Sequence, residues 1–80
     1  MPDKQALAEA DRHITEARSR IARHEEFMAR PGLNSASAAN ARELLLTMQH
    51  TLVTFEQHRD LIVRALAAID AGNAGHLSEF

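Results

Sequence analysis

Apolar residues recur every seventh position in two long stretches of the chain. In the first stretch they are Leu7, Ile14, Ile21 and Met28. In the second they are Met48, Phe55, Ile62 and Ile69. A seven-residue repeat is two turns of an α-helix, so each set forms one stripe along one helix face. Between the stretches lies Arg30-Pro31-Gly32-Leu33-Asn34. Proline removes a backbone donor and pushes Arg30 out of helical geometry, and Gly32 accepts a left-handed turn. The pattern predicts an all-α fold, an antiparallel helical hairpin of two long helices.

The element bounds follow from local chemistry. Asp3 is an N-cap residue, and good helix formers run from there to Ala29, which predicts a first helix over 3–29. The turn covers 30–35. Asn34, Ser35 and Ser37 are all N-cap types, and sequence alone leaves the choice open. The second helix is expected over 36–71. Gly72 and Asn73 stop it, and 72–80 forms a tail in which Leu77 and Phe80 are the residues able to dock. At ~1.5 Å per residue the helices are roughly 40 and 55 Å long, so the second overhangs.

The stripes differ in bulk. With Leu7, Ile14, Ile21 and Met28 at heptad position a, position d holds Ala10, Ala17 and His24. Small residues at d allow close approach. In the second helix, position a holds Leu45, Leu52, Arg59 and Leu66, and position d holds Met48, Phe55, Ile62 and Ile69. Arg59 is the only charged member of that seam. Counting outward from the turn places Leu7 to Asp11 opposite it, so Asp11 is its expected partner. A further apolar row, Leu46, Val53 and Ala67, flanks the seam, with Leu44 and Val63 on either side. One neighbouring helix cannot cover so broad an arc. The expected cover is a second copy, giving a dimeric four-helix bundle; another helical protein is the other candidate. The expected oligomer interface is Leu45, Met48, Leu52, Val53, Phe55, Ile62 and Leu66.

Size and composition sharpen this picture. Eighty residues make one small domain, and a core this thin rarely supplies more than ~3–5 kcal/mol without a staple or assembly. There is no cysteine, hence no disulfide and no thiolate zinc site. The N-terminus shows no secretory signal, and no apolar run approaches membrane-spanning length, so the expectation is a cytoplasmic protein without membrane contact. The net charge of −2 argues against a general polyanion binder.

Candidate chemistry is sparse. Five histidines invite a metal site, but His13 and His24 are eleven apart and His50 and His58 eight apart. Neither pair can chelate one ion within a helix, where ligands sit three or four apart. No metal or other cofactor is expected. A site assembled only across a dimer, with His13, His24 or His58 turned inward, is the remaining possibility for metal or small-molecule binding. The serines at 19, 35, 37 and 78 lie in a helix face, a turn and a tail, with no strained elbow. The three glycines form no phosphate loop. No catalytic residue is assigned, and an enzyme is not expected. Arg20, Arg23 and Arg30 gather near the turn end of the first helix, diluted by Glu16, Glu25 and Glu26. They define the alternative reading, a dimeric RNA-binding four-helix bundle. The first reading is a self-associating interaction or regulatory module.

Several segments also carry a family likeness. The stretches Ala6–Ile14 and Arg20–Arg23, with Ala41–Leu45 and His58–Ile62, together resemble short uncharacterised helical-hairpin proteins of rhizobia and related alphaproteobacteria. The likeness covers most of residues 6–66. The turn departs from that group, which tends to an Asp-Thr helix start where this chain has Leu33-Asn34-Ser35-Ala36-Ser37. The resemblance implies a bacterial cytoplasmic protein and carries over no activity.

Overall fold

The computed structural model describes the backbone of residues 3–78 and the side chains of residues 3–72. It contains two α-helices, α1 (Lys4–Met28) and α2 (Ser35–Ser78), packed against each other as a hairpin. Asp3 caps α1: its backbone is extended, and its Oδ1 accepts the Ala6 N–H at 2.7 Å. At the other end Ala29 N–H reaches Glu25 O, and Arg30 N–H reaches Phe27 O at 3.2 Å in a tightened last turn. Gly32 then takes φ +95°, the left-handed region in which a side chain is strained. Asn34 is the cap of α2. Its Oδ1 accepts the Ser37 N–H at 2.8 Å, and its carbonyl accepts the Ala38 N–H at 2.9 Å.

The C-terminal end differs from expectation. α2 does not stop at Ala71 but continues through Gly72 and Asn73 to Ser78, for 44 residues in all. A glycine inside a helix costs about 1 kcal/mol against alanine. It forces a stop only where a left-handed turn is otherwise favoured, and an established helix adds one hydrogen bond per further residue. The tail expected over 72–80 is therefore helical as far as it is described. The expected docking of Leu77 and Phe80 lies outside the described side chains.

Burial follows the heptads. Ala10, Ile14 and Ala17 of α1 and Ala41 and Ile62 of α2 are buried. Leu7, Ile21, His24 and Met28 are half-buried, as are Leu45, Met48, Leu52, Phe55, Arg59, Leu66 and Ile69. The alanines bring the backbones together, and the bulkier α2 residues fill beside them. No side chain among the described residues falls below 2% exposure. The molecule measures 70 × 15 × 15 Å with a radius of gyration of 19.4 Å. A compact chain of this length has about 12 Å. No described helix is long and apolar enough to cross a membrane.

Candidate functional site

The seam divides the hairpin into two sides of different character. Side one carries charge. Arg59 donates its Nε–H to Asp11 Oδ1, and Arg18 Nη2 lies 3.4 Å from Glu56 Oε2. Asp60 holds Arg64 at 2.8 Å within α2. A shallow depression of about 390 Å³ runs between these groups, lined by Asp11, Ile14, Arg18, Glu56, Arg59 and Asp60. Each charge there already has an opposite neighbour. The Arg59–Asp11 pairing is the one expected from counting outward from the turn.

Side two is a groove of about 280 Å³. Ala17, Met48 and Phe55 form its floor, with His13, Glu16 and Arg20 on the α1 wall and Thr47 and Thr51 on the α2 wall. The His13 ring lies 5.5 Å from Phe55, tilted by 34°. Toward the turn, His24 enters the interface itself. Its Nε2–H donates to the Ala41 carbonyl at 2.7 Å, which assigns the proton to that nitrogen because a carbonyl can only accept. Its other contact is a stacked approach to Phe27, at 6.1 Å between ring centroids.

Six of the seven residues expected at an oligomer interface, Leu45, Met48, Leu52, Phe55, Ile62 and Leu66, lie along the seam between the two helices of one hairpin. Val53 stands apart from them at 47% exposure. Of the arginine patch, Arg20 lines the side-two groove, while Arg23 and Arg30 are exposed outside it. None of the ion pairs among the described residues involves these three. His13, His50 and His58 are exposed, and His24 is half-buried. Among the described residues no group of three or more His, Asp or Glu side chains gathers as a metal site. No buried side-chain polar atom among them lacks a hydrogen-bond partner.

Sequence reasoning missed the His24–Ala41 bond. The available signal was a histidine at a d position opposite small residues, where the ring is short of apolar neighbours and close to backbone. It also missed the threonines of α2. Thr47, Thr51 and Thr54 each donate their hydroxyl to the carbonyl four residues earlier, at 3.3, 3.0 and 3.1 Å.

No protein-family model matches the chain, and neither a curated protein nor a solved structure shows a significant match to it.

Proposed function

We propose that this chain is a self-associating helical hairpin, a homodimer at its simplest, that works as an interaction or regulatory module through packing and without catalysis. The observation that carries this reading is surface area. The hairpin exposes 6289 Å². A compact monomer of 8.9 kDa exposes about 4,800 Å² by the usual size scaling. The excess is about 1,500 Å². A standard specific interface takes about 800 Å² from each partner, so the surface available is enough for one. The exposed surface includes large apolar side chains: Leu46 at 64%, Leu61 at 62%, Leu44, Val53, Phe27 and Val63. Two hairpins stacked face to face give the four-helix bundle. A cytoplasmic setting belongs to the same proposal, and a chain without cysteine fits a reducing compartment.

Light scattering coupled to size exclusion tests it. The expected mass at micromolar concentration is about 18 kDa, twice 8.9 kDa. A folded species at the monomer mass overturns it.

The RNA-binding alternative draws on one observation: Arg20, Arg23 and Arg30 are exposed outside the ion pairs of the described residues. Glu16 and Glu26 stand among them, and the net charge is −2. Binding to structured RNA that falls steeply with salt, and that is lost on replacing the three arginines, favours it over the packing reading.

A further inference from the structure

We draw no further inference here: the strongest candidate, the side-two groove floored by Ala17, Met48 and Phe55 with Thr47 and Thr51 on its α2 wall, is an unpartnered apolar face, and nothing in the structure shows what covers it.

Discussion

Arg59 of α2 reaches across the seam and donates its Nε–H to Asp11 of α1. The two side chains remain 42% and 52% exposed, so water screens the pair. Exposed pairs of this kind contribute ~0.2–1 kcal/mol. Arg59 meanwhile occupies an a position between Leu52 and Leu66, where its guanidinium must leave the interface to stay wet. A leucine in its place extends the apolar seam without a gap. Arg59→Leu is therefore expected to raise the melting temperature by a few degrees, the equivalent of about 1 kcal/mol in a domain this small. Thermal denaturation followed by circular dichroism reads the result, and a clear fall in stability counts against the argument. The same charge also ties α2 to one register on α1, since it pairs with Asp11 across the seam.

His24 ties the register at the turn end. Its bond to the Ala41 carbonyl is the one side-chain-to-backbone hydrogen bond between α1 and α2 among the described residues. Removing it with His24→Ala is expected to cost ~1–2 kcal/mol, from the lost bond and the gap beside Phe27. Ala41 is the tighter test. At 5% exposure it sets how closely the helices approach, and Ala41→Leu forces them apart at a cost of ~1–3 kcal/mol. Urea denaturation of the two variants gives both numbers. An Ala41→Leu variant as stable as the wild type shows that the close approach is not needed.

Much of this was legible in the sequence. Every buried residue of the seam lies at an a or d position, because heptad spacing survives errors in where a helix starts or stops. The Arg59–Asp11 pair was legible for the same reason: an antiparallel hairpin with a short turn leaves only one stretch opposite Arg59. The C-terminal end of α2 was not, because Gly72 tolerates a left-handed cap without requiring one. Asn34 could not be separated from Ser35 and Ser37, since all three side chains offer the same acceptor and only the backbone path decides between them. What covers the apolar arc was legible least. A heptad pattern says which residues must be covered, not whether the cover is the other helix or another molecule. Leu45, Leu52, Ile62 and Leu66 take the first course in the hairpin. Which side of the seam carries the ion pairs, Arg18–Glu56 and Arg59–Asp11, is seen only once the two helices are placed against each other.

The turn makes two predictions. Gly32 has open space around the position of a Cβ, so a side chain there meets no clash, but φ at +95° remains unfavourable for it. Gly32→Ala is expected to cost about 1 kcal/mol through backbone strain alone. Asn34→Ala removes the acceptor for the Ser37 N–H and costs a similar ~1 kcal/mol. These losses appear in chemical denaturation as lower midpoints with unchanged slope. A change in slope assigns the effect to the unfolded state instead.

Metal should leave the protein unchanged. The histidine spacings provide no chelate within either helix, and no group of three potential ligands gathers among the described residues. Ligands that bind only the folded state raise its melting temperature by mass action. Neither EDTA nor micromolar zinc is expected to shift it. A zinc-dependent rise of several degrees points to a site shared between copies, with His13 or His58 the first residues to replace.

Phe55 is where folding and assembly meet. It lies mid-length in α2, half-buried in the seam against the ring of His13, and it forms part of the floor of the side-two groove. Its ring thus meets His13 of α1 and also borders the open groove. Aromatic truncation in a core costs ~3–5 kcal/mol, and partial exposure lowers the hairpin's share of that. Phe55→Ala is expected to cost about 2 kcal/mol of stability within the hairpin and to weaken the proposed dimer as well, because the exposed surface loses an aromatic contact area. Val53→Ala is the comparison. Val53 is exposed on side one, and truncating it should change the stability of the hairpin by less than about 0.5 kcal/mol. Denaturation at several protein concentrations separates the two effects, since only the loss of assembly depends on concentration. If Phe55→Ala lowers stability by the same amount at every concentration, Phe55 serves the hairpin alone.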